Sequence, residues 1–459
     1  IVSGRKGTGK TAVFARVTDR IRRDVRNVVI DLKPEGYRLL RLKESIAELL
    51  TAGTLEHTFT ALWEYLLYVE IGLALLSHDA TRHLRDHRIA TSYRKLSETI
   101  CKSNADLDGD FSERIAKLMH AVREEYLAKY GEDYHKALSE GEVTALIHRH
   151  DLRELKQVTI DYVQNKGALW ILFDNLDKGW PAHGLNADDL VVIRTLLEAT
   201  RKIERDFQRA DRDAHSIVLL RSDVFELLLE EMPDRGKESR VSLDWKDPEL
   251  LKEVIKRRLA YSGLEPAGDF NSMWRQICVS HIEGEESFHH LLDRCLMRPR
   301  FLIVLIEYCR SHAVNLGKAI IDAEDIQKGI ETYSADLLVD LGYEMQDISP
   351  ELEDVLYAFI GVASQLSQTD YELVLLLHGV EDEKIGLITR LMLWYGVLGV
   401  VMPGGEERFI FDTNYSMKIL EGLIQKAGGQ TVSYTINRAL WPILQIRNEA
   451  ALCTFGAKV

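Results

Sequence analysis

The chain has 459 residues, of which 46% are apolar and 28% charged, and 58 basic against 72 acidic side chains leave a net charge of −14. This is an ordinary globular composition, which excludes a disordered or fibrous chain, and the negative balance confines any nucleic-acid or anionic-membrane contact to a local basic patch. No apolar run reaches the ~18 residues of a membrane helix, so no membrane contact is expected; Cys101, Cys278, Cys295, Cys309 and Cys453 lack CxxC spacing, which argues against a disulfide framework or zinc site and for a reducing cytoplasm.

The chain opens Ile1-Val2-Ser3, a short strand without an initiator Met. Native residues upstream of Ile1 are therefore expected, with room for an effector or partner domain. Gly4-Arg5-Lys6-Gly7-Thr8-Gly9-Lys10-Thr11 then satisfies GxxxxGK[ST]. Such a glycine-rich turn lets backbone N–H groups wrap a phosphate chain. Lys10 can reach the β- and γ-phosphates, and the Thr11 hydroxyl suits Mg²⁺. Gly4 to Thr11, with Ala12, form the expected ATP-binding set. The context fits, because Val13, Phe14, Val17 and Ile21 repeat on one face of a following helix, Thr11 to Arg23. Asn27–Leu32 reads as the second strand of an α/β sheet.

Two βα units need only roughly 60 residues, far fewer than separate Lys10 from the next strong strand. Something on the order of 100 residues, 55–160, is therefore an insertion. It reads as helices, with an apolar stripe through Phe59, Leu62, Trp63, Leu66, Leu67, Ile71 and Leu75, and a charged amphipathic segment Ser112–Tyr130. Arg82, His83, Arg85, His87, Arg88, His148, Arg149, His150 and Arg153 add basic faces that are either solvated or a ligand contact.

Leu169-Trp170-Ile171-Leu172-Phe173 is a continuous apolar run, as in a central parallel strand. It ends in Asp174-Asn175-Leu176-Asp177, and Asp174 at a strand's C-terminal end is placed to hold Mg²⁺ through water. Asn175 can orient water but cannot accept its proton; Asp177 is the nearest carboxylate that can act as general base. Ile217–Leu220 is the next core strand. It runs into Arg221, assigned to sense the γ-phosphate from between the loop and the acidic strand. Arg235 or Arg240, just before the strand Val241–Trp245, is the candidate for a finger acting on a neighbouring subunit.

From Pro248 the pattern is helical only. Met297-Arg298-Pro299-Arg300 opens an apolar helix, with proline suited to its first turn. Arginines at a helix start oppose the macrodipole, and a bound triphosphate is a reason for them. Arg298, and less directly Arg300, is assigned as the lid arginine. Glu351–Ser364, Asp370–His378 and Asp382–Trp394 then read as three helices, followed by strands Gly396–Met402 and Arg408–Asp412 around Pro403-Gly404-Gly405. This is winged-helix order. Its third helix begins Glu381-Asp382-Glu383-Lys384, which favours protein over nucleic acid as its partner. Thr431–Ile446 reads as a strand-like piece and then Leu440-Trp441-Pro442-Ile443-Leu444, expected to dock on the body.

GRKGTGKT, ILFDNLD, LLRSD, LDW and MRPRF, in this order, resemble the bacterial P-loop ATPases allied to the STAND and AAA+ groups, similar in plan to initiator-type ATPases. The resemblance spans residues 1 to about 446. It implies an α/β P-loop NTPase core on a parallel sheet (1–54 and 161–247), the large helical insertion (55–160), an all-α lid (248–345), a C-terminal winged-helix-like domain (346–430) and a tail (431–459). It further implies an ATP- and Mg²⁺-dependent, homo-oligomeric switch coupled to an effector such as a nuclease. Many relatives serve anti-phage defence. A DNA-processing ATPase and a non-hydrolysing scaffold stay open as alternatives.

Overall fold

The computed structural model describes residues 1–33, 52–102, 109–130, 152–174, 176, 187–231, 239–264, 269–346, 352, 354–427 and 433–447. The chain forms two compact units. The first comprises residues 1–181 and 185–243, and the second residues 182–184 and 244–459.

In the first unit, short β-rich runs alternate with helices, the pattern that buries a parallel sheet on both faces. The strands are β1 (Val2–Gly4), β2 (Val28–Leu32), β3 (Leu169–Phe173), β4 (Ala214–Arg221) and β5 (Val241–Ser242). All pairings are parallel, in the order β2-β3-β4-β1-β5. The two-residue side-chain period splits the central strands cleanly. Leu169, Ile171, Phe173, Val218 and Leu220 join one apolar cluster. Leu172 and Leu219 face the other way, onto Phe14 of α1 (Lys10–Arg22).

The first face is covered by α2 (Ala52–His78), α3 (His87–Lys102), α4 (Phe111–Tyr130), α5 (Leu152–Val163) and α6 (Ala187–Arg209). The described residues of 55–160 therefore contribute to the apolar core on this face of the sheet. α2 overturns one expectation. Its Glu56–His78 stretch is long and apolar enough to cross a membrane by length and composition. Glu64 and Glu70 interrupt the run in the sequence, which hid it. In the fold both carboxylates are paired, Glu64 with Lys202 of α6 at 2.5 Å and Glu70 with Arg114 of α4 at 2.8 Å. Trp63 donates its indole N–H to the Val192 carbonyl at 3.1 Å, and most of the stretch is buried in the core. α7 (Ser222–Glu231) follows β4 directly.

The second unit begins with α8 (Pro248–Tyr261). Asp247 caps it by accepting from the Glu249 N–H at 2.9 Å, and Pro248 occupies the first turn. After α9 (Phe270–Trp274) comes a correction to the all-α expectation: a two-stranded antiparallel hairpin, β6 (His281–Ile282) and β7 (Glu285–Glu286). Its turn residues Glu283 and Gly284 both have positive φ, 53° and 87°. That matches the twist of a tight hairpin turn, and the two-residue strands are too short to leave a period-2 signal. α10 (Ser287–Leu292), α11 (Pro299–Asn315) and α12 (Ala323–Gln346) complete this part.

The expected helix over Glu351–Ser364 is also corrected. Among the described residues there, a 3₁₀ turn, Val355–Phe359, forms in place of an α-helix. Gly361 then takes φ 74°, and the N–H groups of Gly361 and Ser364 donate to the carbonyls of Leu444 and Arg447 (2.8 and 2.9 Å), so the C-terminal segment takes the bonds a helix would need. β8 (Gln365–Ser367), α13 (Gln368–Leu377), α14 (Asp382–Tyr395), β9 (Leu398–Val401), β10 (Glu407–Arg408), α15 (Met417–Ala427), β11 (Ser433–Ile436) and α16 (Trp441–Leu444) follow. The expected strand over Arg408–Asp412 is thus cut short, because Ile410–Thr413 turns as a 3₁₀ helix. The antiparallel sheet runs β10-β9-β11-β8, so the tail supplies an internal strand. One apolar cluster extends from Leu251 to Leu444, and segments 248–345 and 346–430 share it.

Candidate nucleotide site

β1 ends at Gly4, where the chain turns through Arg5–Gly9 into α1. A Cβ on Gly4 would lie 2.5 Å from Thr8 Oγ1 and 3.2 Å from Leu243 Cβ, so only glycine lets the loop close here. Gly7 and Gly9 have φ of 84° and 97°, conformations that carry a penalty for any residue with a Cβ. Thr8 is buried and donates its hydroxyl to the Arg5 carbonyl at 2.9 Å. Lys10 Nζ donates to the Gly4 and Arg5 carbonyls at 2.7 and 3.1 Å, so the ammonium lies against the loop's own backbone. Arg5 is buried, whereas Thr11 and Ala12 are exposed at the start of α1. No acidic side chain stands in the first turn of α1 and none caps it, so the positive end of the helix is left for an external anion.

Asp174 follows β3 directly, its N–H bonded to the Leu32 carbonyl at 3.0 Å. It is only 2% exposed, and its Oδ2 has no hydrogen-bond partner among the described residues. A buried carboxylate oxygen left in that state costs on the order of 1–3 kcal/mol or more. A hydrated divalent cation is the chemical partner such an atom suits. With the Thr11 hydroxyl, Asp174 fits the metal half of a Mg²⁺–nucleotide site. Asn175 and Asp177 lie outside the described residues.

β4 lies between β1 and β3, and Gly4 pairs in register with Arg221. The Arg221 guanidinium is buried and forked onto Asp223, with Nε 3.1 Å from Oδ1. Asp223 also accepts from the Val224 N–H, which fixes it at the start of α7. Sequence reasoning missed Asp223; its spacing two residues beyond a strand-end arginine was the available signal.

Arg235 lies outside the described residues. Arg240 is engaged within its own chain: Nε donates to Ser3 Oγ at 2.8 Å, Nη1 meets Glu226 at 2.8 Å, and the guanidinium stacks over Phe225 at 4.6 Å.

Arg298 has a charged partner within its own unit. It is fully buried in the second unit, where Nη1 donates to both Glu344 oxygens at 2.8 and 2.9 Å and the guanidinium lies 4.9 Å from the Phe301 ring. Glu344 therefore supplies the counter-charge that the sequence had left to a triphosphate. Separating this pair would leave one buried charge alone, at roughly 3–5 kcal/mol. A charge-assisted phosphate contact returns only about 1.5–3 kcal/mol. Arg300, the second residue of α11, is exposed.

The basic face of the insertion is partly neutralised. Arg82 and Arg88 converge on Asp86 at 3.9 and 3.0 Å, and His83 stacks on Tyr93 at 3.7 Å. His148, Arg149 and His150 lie outside the described residues.

Residues 249–342 match the FunZ_C family, the FunZ-associated C-terminal helical domain. The chain is 24% identical over 374 residues to the putative transposon gamma-delta 80.3 kDa protein of Escherichia coli strain K12. That match covers 80% of this chain and 50% of the relative, so the chain spans about half the length of the transposon protein. A shorter match, 27% over 152 residues, covers 32% of this chain and 78% of allergen Alt a 2 of Alternaria alternata. Among solved structures, Cdc6p of Pyrobaculum aerophilum aligns over 93% of this chain and 87% of its own at 12% identity, with a TM-score of 0.32. The RuvB Holliday junction branch migration motor of Thermotoga maritima aligns over 59% and 82% at 14% identity, with a TM-score of 0.27. Scores this low carry no assignment. The loop between β1 and α1, the parallel strand order and the acid after β3 are what fit the first unit to a P-loop NTPase core.

Proposed function

We propose that the chain is an ATP-binding, Mg²⁺-dependent ATPase of the AAA+ and STAND type, an oligomeric cytoplasmic switch whose nucleotide state controls an associated effector, plausibly in anti-phage defence. The observation that carries the nucleotide reading is the buried, unpartnered Oδ2 of Asp174 at the end of β3, one strand removed from a glycine loop that only glycine can close. Bound MgATP supplies the phosphoanhydride and the divalent charge. Gly7, Gly9 and the first turn of α1 present N–H groups to phosphate. Lys10 exchanges its carbonyl partners for phosphate oxygens, and Thr11 and Asp174 orient the metal's ligands. Asn175 or Asp177 positions the attacking water. Arg221, held by Asp223, reports phosphate occupancy to α7. Because Arg298 is committed to Glu344, the lid role passes to Arg300. Segment 346–430 serves as a winged-helix-like partner module, and the β8-α13-α14-β9-β10 order supports this reading.

Titration calorimetry with MgATP tests the core of the proposal. Saturable binding is expected, weakened about 10- to 100-fold by Lys10→Ala, the equivalent of one charge-assisted hydrogen bond. Steady-state hydrolysis is expected to fall on the order of 10²-fold in Asp174→Asn. No adenine-nucleotide uptake by the folded wild-type chain would overturn the reading.

A second reading, a DNA-processing ATPase, draws on the transposon context of the E. coli relative. Hydrolysis stimulated by DNA and falling steeply with salt would favour it; hydrolysis indifferent to DNA would exclude it.

A further inference from the structure

The second unit carries a groove and a ridge of matching chemistry. The groove, about 420 Å³, lies between the C-terminal half of α8 and the length of α11. That is within the roughly 300–1,000 Å³ range of small-molecule pockets, space enough for a few side chains. Its floor is apolar, formed by Ile255, Leu259, Ile303 and Ile306. Its rim carries the exposed cations Arg258 and Arg310 and one exposed carboxylate, Glu307. Lys318 also lines it but is engaged by Asp322 and Asp325 at 2.7 and 3.0 Å. The apolar surface continues outward, because Tyr261, Val314 and Ile320 are 95%, 56% and 46% exposed.

The ridge is α13. Leu373, Leu376 and Leu377 stand at i, i+3 and i+4 and are 51%, 45% and 79% exposed. That spacing is how an amphipathic helix seats anchors in a groove. The flanks are acidic. Asp370 and Glu372 precede the leucines on the same faces, and Glu381, Asp382 and Glu383 follow in the sequence. A leucine stripe bordered by carboxylates complements an apolar trough rimmed by arginines, in a chain whose overall charge of −14 otherwise opposes self-association.

We propose that the occupant of the α8–α11 groove is α13 of a second copy of this chain. The contact is head-to-tail: each copy offers a ridge to one neighbour and a groove to the other, the geometry that builds rings or filaments. Three leucines bury too little for a permanent interface, so association at micromolar concentration is expected. The inference rests on the oligomeric part of the proposed function and does not require nucleotide at this contact.

Sedimentation of the full chain, with and without MgATP, tests it. Leu373→Arg/Leu377→Arg removes the ridge, and Arg258→Glu/Arg310→Glu inverts the rim. All four positions are exposed, and circular dichroism checks folding. Each variant alone is expected to weaken self-association at least tenfold. An equimolar mixture of the two folded variants is expected to form dimers and nothing larger, because one intact ridge still meets one intact groove. Wild-type assembly in both variants, or a mixture that stays monomeric, overturns the contact while leaving an oligomeric switch standing. A wild-type chain that stays monomeric in ATP, ADP and no nucleotide overturns both.

Discussion

Four side chains show how local chemistry is set by what surrounds it. Burial pushes the Cys278 thiol up to about 11 and the Cys295 and Cys309 thiols to about 12, whereas Cys101 is exposed. The thiolate is the reactive form. In a Cys453→Ser background, a thiol reagent at pH 8 is therefore expected to label one site on the folded chain and four after denaturation; early labelling of a second site would show that the α11 core opens readily. His290 supplies a pH dependence. Burial and the nearby Arg294 hold its imidazolium below the ordinary histidine range, while its hydrogen bond holds Glu285 below the ordinary carboxylate range. A depressed folded pKa means that protonation favours the unfolded chain. The stabilising contribution is present above the unfolded value near 6.5 and is lost as pH falls through the folded one. The second unit is thus expected to lose stability between pH 7 and pH 5, and His290→Gln should flatten that loss in denaturant midpoints. The nucleotide motif was legible at this scale because a glycine loop and a strand-end acid are contiguous in sequence. The partner Glu344 was not legible in the same way, because it is 46 residues from Arg298.

Between elements, the pairing of α11 with α12 depends on one missing side chain. A Cβ on Gly329 would sit 2.5 Å from Cys309 Sγ and 2.6 Å from the Cys309 backbone nitrogen. Gly329→Ala gains about 1 kcal/mol of helix propensity. It must also push a backbone aside, at typically 1–3 kcal/mol and more for a main-chain clash. The clash should win, and a net loss of about 2 kcal/mol is expected in urea unfolding. The Arg298–Glu344 pair joins the start of α11 to the end of α12. Glu344→Gln is expected to cost roughly 3–5 kcal/mol, and replacing both residues by Met and Leu should recover most of it. If Glu344→Gln proved neutral, the argument that Arg298 is committed to the interior would fail. The strands that were long and apolar, β2, β3 and β4, were legible from period and composition. The β6–β7 hairpin was not, because two residues cannot establish a period.

For the whole molecule, the decisive fact is that the two units have separate cores. A single cooperative transition is not expected of such a chain. Calorimetry should resolve two transitions, and MgATP at about 100 times its Kd should raise the nucleotide-binding unit by about 2.7 kcal/mol, with any smaller rise of the other reporting the Arg300 contact. Coincident shifts of both would mean that the units melt as one. The sequence by itself determined the phosphate loop, the acid at the strand end and the α/β character of the first unit. Each rests on contacts within a few residues or on a short repeat, and a linear reading captures such contacts. Only the tertiary structure decided that the insertion is the covering layer of the sheet, that Arg298 answers to Glu344, and that the tail lies inside a sheet. Those outcomes depend on which distant surfaces exclude water together, and the competition between such pairings is settled only when the chain closes on itself.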